Sequence, residues 1–242
     1  MRPLLSVTLL ITTTALLIFS CKKDDDIYSQ GNAGGPPVST LIQIVKVSKT
    51  TLEADSATVS TIEVNIHPET DSTSRVIFFT TTLGNFLNGK TSDTARADAY
   101  GHASVSLLSN STGTANIRAR VKFVTVDTTV NFTQALPDDM LMTADKYIGD
   151  TNAVFTVSNN LFRNSGRGKV TDPVKVFYSV TPELLTSPPL IYPQFAFSTG
   201  RRASIIILNP AKGKGNYRID SKVVSALVPT DTIRRSITIT IQ

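Results

Sequence analysis

The feature that most constrains this chain is a strict alternation of apolar and polar residues in several short segments. The segment ANIRARVKFV, residues 115–124, is one example. Because successive side chains of a β-strand point to opposite faces, the pattern predicts a strand with one buried and one solvated face. The predicted buried residues are Ile117, Ala119, Val121 and Phe123, and the predicted exposed residues are Asn116, Arg118, Arg120 and Lys122.

Similar alternation at residues 62–66 and 103–107 predicts further strands. Between such segments come turn sequences such as DAYG, where Asp98 and Gly101 suit the first and fourth positions of a type I turn. Beyond residue 40, no ten-residue segment carries a convincing helical stripe. With 40% apolar and 18% charged residues, the chain has enough apolar side chains to form a core. The sequence therefore predicts an all-β fold.

An internal repeat divides the chain into two units. The segment YGHASVSLLSNSTGTANIRARV, from residue 100, aligns with TGRRASIIILNPAKGKGNYRIDSKV, from residue 199. Units of about 100 residues have the size of an immunoglobulin-like β-sandwich. We place the first unit at residues 40–136 and a divergent second unit at residues 137–242, with the boundary in QALPDDM. The aligned pairs are Ala103 with Ala203, Leu108 with Leu208, Asn116 with Asn216, and Arg118 with Arg218.

Three motifs of the first unit carry a resemblance to a known family. The motifs are TTTLGNFLNG (residues 80–89), DAYGHASVSL (98–107) and GTANIRARV (113–121). They resemble the bacterial immunoglobulin-like domain that occurs in tandem in invasin and intimin. The resemblance covers residues 41 to about 136, and the internal repeat extends it to the second unit. It implies two tandem immunoglobulin-like β-sandwiches that serve as an adhesion or interaction module.

The first 20 residues have the parts of an export signal. Arg2 precedes an apolar stretch at residues 4–19, and Ser20 is a small residue before the expected cleavage point. A permanent transmembrane anchor is the alternative, but this stretch is short for a bilayer core. Ile18 to Cys21 resembles the lipobox of bacterial lipoproteins, which implies cleavage before Cys21 and a lipid on that cysteine. Cys21 is the only cysteine of the chain, so it has no partner for an intramolecular disulfide.

The charged residues after Cys21 bear on localisation. They look like the signal that directs Bacteroidetes-type lipoproteins to the outer face of the outer membrane, although the same charges would suit a solvated tether. Residues 21–39 include three glycines and two prolines, so we expect a flexible tether there. We expect a lipid-anchored, surface-exposed outer-membrane protein. A location on the periplasmic side of that membrane is the alternative. The charged residues are Lys22, Lys23, Asp24, Asp25 and Asp26.

The sequence offers no convincing catalytic or metal site. His67 and His102 are expected on the surface, and no third group that would orient either as a catalytic base is identifiable. We therefore expect no enzyme activity, no cofactor and no zinc. Asp138 and Asp139, at the boundary between the units, could contribute to a calcium site, but turn chemistry explains them better because calcium needs six or more oxygens. The mild net charge of +5 does not indicate nucleic-acid binding.

Two candidate ligand sites remain. Arg118, Arg120 and Lys122 could form a basic patch for acidic glycans, or simply a solvated strand face. The proline-rich segment TPELLTSPPLIYPQFAF, residues 181–197, is a candidate ligand loop or an irregular edge packed on its own domain. Its candidate ligand residues are Leu190, Tyr192 and Phe195.

Together these features predict a non-catalytic, lipid-anchored cell-envelope protein that spaces or presents a surface for adhesion or for a protein or glycan ligand. The alternative is an accessory carbohydrate-binding lipoprotein of a nutrient-uptake complex. Aromatic platforms for sugars would favour that alternative, but the chain has no tryptophan and six tyrosines.

Overall fold

The computed structural model describes residues 41–67, 70, 75–226 and 232–242. These residues form seventeen β-strands and no α-helix, which confirms the predicted all-β fold. Within the described part of the chain, no helix has the length and apolarity needed to cross a membrane. The predicted signal peptide and the predicted tether, residues 1–39, lie outside the described residues.

The first sandwich consists of nine strands in two sheets. One sheet has the order β1-β3-β7-β5 and the other has the order β2-β9-β8-β4-β6. Most neighbours are antiparallel, but β2 pairs with β9 in parallel. The strands are β1 (Ile42–Val47), β2 (Thr51–Glu53), β3 (Ser60–Ile66), β4 (Val76–Thr81), β5 (Asn85–Phe86), β6 (Ser92–Arg96), β7 (His102–Leu108), β8 (Gly113–Val121) and β9 (Val124–Thr133).

The second sandwich repeats this topology. Its sheets have the orders β10-β12-β15 and β11-β17-β16-β13-β14. An isolated bridge between Ile191 and Leu208 lies where β5 pairs with β7 in the first sandwich. The strands are β10 (Asp139–Ala144), β11 (Ile148–Gly149), β12 (Phe155–Phe162), β13 (Lys175–Pro182), β14 (Phe195–Phe197), β15 (Arg202–Ile207), β16 (Gly215–Val224) and β17 (Thr232–Ile241).

Each sandwich encloses its own hydrophobic core, formed by the inward residues of its two sheets. In β8, Ile117, Ala119 and Val121 are buried as predicted. Successive side chains of a strand point to opposite faces, so these three face the core while the arginines between them face solvent. The predicted DAYG turn is also present: the Gly101 N–H donates to the Asp98 carbonyl at 3.1 Å. The chain has a single cysteine, so no intramolecular disulfide can stabilise either core. Packing of apolar side chains is the main stabilising contribution.

The predicted strand at residues 115–124 ends earlier than its sequence pattern. Val121 pairs with Val124, so Lys122 and Phe123 form the two-residue turn between β8 and β9. Lys122 adopts a positive φ of 50°, and Phe123 is 64% exposed. The prediction that Phe123 is buried is therefore wrong, because the chain reverses direction while the apolar–polar alternation continues. For the same reason, Lys122 does not extend the β8 face that carries the two arginines.

The repeat also needs a correction in its later half. β8 begins at Gly113 and β16 begins at Gly215, and both glycines have a positive φ, so the two strand starts are equivalent. Phe78 of β4 pairs with Arg120 of β8, and Phe177 of β13 pairs with Lys222 of β16. Arg120 is therefore equivalent to Lys222, two residues further along than the alignment of Arg118 with Arg218 requires. The alignment of Asn116 with Asn216 fails in the same way. Six residues separate Leu208 from β16, whereas four separate Leu108 from β8. A shift of two residues leaves every side chain on its expected face.

The loop at residues 163–174, between β12 and β13, joins the two sandwiches. The Thr171 hydroxyl donates to the Ala54 carbonyl at 2.6 Å and accepts from the Ala135 N–H at 3.1 Å. The Thr171 N–H also donates to the Ala135 carbonyl at 3.0 Å. Because both acceptor carbonyls belong to the first sandwich, this loop fixes one sandwich against the other through buried hydrogen bonds.

A buried arginine pairs with two carboxylates at the same junction. The Arg163 side chain has no solvent exposure; its Nη2 lies 2.5 Å from Glu53 Oε2 and its Nη1 lies 3.6 Å from Asp55 Oδ2. Burial alone would raise the pKa of Asp55, but hydrogen bonds from Thr58 and Ala57 and the Arg163 charge lower it below its ordinary value. The Asp55 carboxylate is therefore held in its charged form where the two sandwiches meet.

Candidate ligand-binding face

The second sandwich exposes a cluster of aromatic and lysine side chains on its five-stranded sheet. We call this cluster the aromatic–lysine face. Alternation along β13 points two of its members outward, and β14 and β16 contribute the others from neighbouring strands. Exposure of apolar rings to water is unfavourable. A contiguous cluster of exposed rings therefore indicates a surface that binds a partner. The members of the face are Lys175, Phe177, Phe195, Phe197 and Lys222.

The three rings of this face contact one another at an angle. The ring centroids of Phe177 and Phe195 are 6.5 Å apart with the planes inclined at 59°, and those of Phe195 and Phe197 are 5.9 Å apart at 77°. Lys175 Nζ lies 4.8 Å from the Phe177 centroid and 4.1 Å from the Phe195 centroid. Lys222 Nζ lies 5.7 Å from the Phe177 centroid. These edge contacts and cation–π interactions hold the rings in place at the surface.

A shallow groove of about 660 Å³ adjoins the face. Residues of β13, β16 and β17 line it, and Phe177 and Lys222 belong to both the groove and the face. Arg218 Nη2 lies 3.0 Å from Asp220 Oδ1, so the one acidic side chain of the groove is already paired. The other lining residues are Tyr178, Ser179, Tyr192, Gln194, Ser221, Arg234 and Ser236.

The first sandwich carries a different arrangement at the equivalent position. Arg120 lies over the exposed ring of Phe78, with 5.4 Å between the guanidinium carbon and the ring centroid. Arg118 Nε donates to Asp127 Oδ1 at 2.8 Å, and this contact raises the pKa of Arg118 and lowers that of Asp127. The predicted basic patch is thus split: Arg118 is neutralised by a carboxylate, Arg120 covers a ring, and Lys122 is in the adjacent turn.

The predicted ligand loop contains both core and surface residues. Leu190 is only 8% exposed and packs in the second core, and Tyr192 packs partly against that core. For Leu190 the structure favours the alternative of packing on its own domain, because the side chain lies in the sandwich interior. Phe195 is 45% exposed and belongs to the aromatic–lysine face. The loop also exposes Leu184 and Leu185, which the sequence analysis did not single out.

The two histidines lie apart from this face. His102 is exposed at the start of β7, and its backbone N–H donates to Asp98 Oδ1 at 2.9 Å. That hydrogen bond is the largest cause of a lowered pKa at Asp98. His67 is half-buried, and its backbone N–H donates to the Leu41 carbonyl. The contacts described for both residues are those of a turn and a strand end.

Two arginines pair with the two carboxylates at the junction, Asp138 and Asp139. Asp138 Oδ1 accepts from Arg167 Nη1 at 2.5 Å, and its Oδ2 accepts from the Asn164 N–H at 2.8 Å. The Asp139 carboxylate forms an ion pair with Arg235. In the described ranges, no cluster of three or more histidine, cysteine or acidic residues could hold a metal ion. A calcium ion there would have to displace two guanidinium groups.

The predicted lipidation and export residues lie outside the described residues. They are Cys21, Lys22, Lys23, Asp24, Asp25 and Asp26.

Sequence reasoning missed most of the aromatic–lysine face. Only Phe195 was identified, because β13, β14 and β16 are separated in sequence and their residues meet only through strand pairing. The available signal was the alternation in VKVFYSV, which places Lys175 and Phe177 on one face of a strand. That pattern does not reveal which residues of β14 and β16 lie beside them.

No family model matches the sequence, and no curated protein matches it. The fold is similar to that of the adhesin InvE of Yersinia pseudotuberculosis, with 15% identity and a TM-score of 0.53 over 84% of this chain and 59% of InvE. It is also similar to invasin, a bacterial integrin-binding protein, with 16% identity and a TM-score of 0.56 over 83% of this chain and 39% of invasin. The chain spans less than two thirds of either protein. The likeness confirms tandem immunoglobulin-like sandwiches of the type expected from the sequence motifs.

Proposed function

We propose that this chain is a non-catalytic, lipid-anchored protein of the bacterial outer membrane that presents a binding surface in an adhesion-type role. The aromatic–lysine face is the observation that carries the proposal. Three phenylalanine rings remain 39–56% exposed there, although the same sandwich buries large apolar side chains elsewhere. Aromatic residues are enriched at protein interfaces, and an exposed aromatic cluster is unfavourable unless a partner covers it.

The anchoring part of the proposal rests on the N-terminal sequence. Cleavage before Cys21 and lipidation of its thiol would hold the chain at the membrane, because each buried CH₂ of an acyl chain contributes about 0.8 kcal/mol. Residues 22–26 would direct the protein to the outer face, and the tether up to residue 39 would space the sandwiches from the lipid. Both sandwiches would then face the exterior, and the likeness to two adhesin structures supports this display role.

Proteinase K treatment of intact producing cells tests the display. We expect an immunoblot for the second sandwich to lose its signal in intact wild-type cells. A Cys21→Ala strain should lose the protein from its membrane fraction, because the lipid is its only proposed anchor. Protection of the wild-type protein until the outer membrane is opened would contradict surface display and indicate a periplasmic location.

Attachment assays test the binding role separately. Producing cells and a deletion strain are compared on immobilised extracellular-matrix proteins and on immobilised glycans. We expect producing cells to attach more strongly to at least one surface, and proteinase K treatment to abolish the difference. Equal attachment of both strains to every surface would contradict an adhesion-type role.

A further inference from the structure

The aromatic–lysine face and the groove beside it form one continuous surface, since Phe177 and Lys222 line both. The face contributes exposed apolar area, and the groove contributes hydrogen-bonding groups such as Ser236 and Gln194. A ligand on this surface would contact both parts at once. The chemistry of the combined surface therefore determines the class of partner.

The charge of this surface is strongly unbalanced. Four cationic side chains line it, whereas Asp220 is its one carboxylate within the described residues. The Asp220 carboxylate is already used, because it pairs with Arg218 and accepts a hydrogen bond from Ser236. An approaching ligand therefore meets an excess of positive charge, which favours a negatively charged partner. The four cationic residues are Lys175, Arg218, Lys222 and Arg234.

The geometry of the rings distinguishes between two kinds of anionic partner. The planes of neighbouring rings are inclined at 59° and 77°, so they do not form the flat platform on which successive sugar rings would stack. Lys175 also lies over the faces of Phe177 and Phe195, at 4.8 and 4.1 Å from their centroids. The angled cluster instead suits irregular apolar side chains, which pack around ring edges as they do in a protein core.

We infer that this surface binds an acidic protein segment. Apolar side chains of the segment would pack against Phe195 and Phe197, and its carboxylates would pair with Lys175, Lys222 and Arg234. Aromatic side chains, phenylalanine included, are enriched in the cores of protein interfaces, and complementary charge adds specificity for the partner. The inference rests on the proposed binding role and names the chemistry of the partner.

The test uses the mature chain, residues 21–242, with arrays of short synthetic peptides as the probe. The acidic and the apolar content of the peptides are varied independently, and heparin and polygalacturonate are immobilised beside them. We expect the strongest retention on peptides that are both acidic and apolar, with retention falling as NaCl is raised. Peptides that have only one of the two properties should retain the protein more weakly.

Two double variants test the two parts of the surface independently. Lys175→Glu with Lys222→Glu should reduce retention at least about tenfold, and so should Phe195→Ser with Phe197→Ser. The matched control is Phe78→Ser with Arg120→Glu, which changes the equivalent face of the first sandwich. All changed side chains are solvent-exposed, and thermal melting identifies any variant that fails to fold.

The outcomes separate this inference from the proposed function. The protein could be retained on heparin or polygalacturonate and lose that retention in the double variants of the aromatic–lysine face. This result would overturn the assignment of an acidic protein segment and leave the binding role intact. Retention that the control variant reduces equally would overturn the location. Absence of any preference for acidic, apolar peptides would overturn the inference even where producing cells attach in the adhesion assay.

Discussion

Removal of the Arg163 guanidinium is the most direct test of how the two sandwiches are joined. Loss of one partner of a buried ion pair costs about 3–5 kcal/mol, because the remaining charge stays in a poorly solvated site. Here the cost should be near the lower end. Asp55 keeps hydrogen bonds from Thr58 and Ala57, and the Glu53 side chain is 36% exposed and can be hydrated. We therefore expect Arg163→Ala to lower the free energy of unfolding by about 3 kcal/mol.

Guanidinium chloride unfolding of residues 40–242, followed by far-UV circular dichroism, measures this effect. Arg163→Met separates charge from packing because it keeps an apolar side chain of similar length. A double-mutant cycle with Glu53→Gln should give a coupling energy of about 1–3 kcal/mol. The matched control is Arg118→Met, which breaks an arginine–carboxylate pair whose side chains are 60% and 56% exposed, and should leave the midpoint unchanged. Equal midpoint shifts in the two methionine variants would refute the argument from burial.

Three further predictions follow from particular residues. Gly101→Ala should destabilise the chain by more than about 2 kcal/mol, because φ is +89° and the new Cβ would lie 2.1 Å from the Ile66 carbonyl oxygen. The control Gly89→Ala should destabilise the chain less, because open space surrounds Gly89. Equal unfolding midpoints for the two variants would contradict this prediction. The folded-state pKa of Asp55 is lowered, so its stabilising contribution is complete above about pH 4 and is lost as pH falls through the folded value. Asp55→Asn should therefore flatten the acid limb of the stability curve, and parallel curves for variant and wild type would exclude that contribution. Calcium should leave the melting temperature unchanged because Arg167 already pairs with Asp138, and a rise on adding calcium would show that a site forms.

The sequence by itself determined the fold class and the face on which most strand residues lie. Alternation in β8 identified Ile117 and Ala119 as core residues, and both are fully or almost fully buried. This information is local, because the two-residue period of a strand assigns a side chain to a face without reference to any other strand. The repeat extended the assignment to a second sandwich with the same strand order.

Other features required the tertiary structure. Alternation does not show where a strand turns, so Phe123 was assigned to the core although it is in a hairpin turn. A two-residue shift in register leaves the faces unchanged, so the true equivalence of Arg120 with Lys222 was hidden from the alignment. The junction and the aromatic–lysine face bring together residues from separate strands and loops, such as Arg163 with Glu53. Contacts of this kind depend on how sheets pair and pack, which no local sequence period specifies.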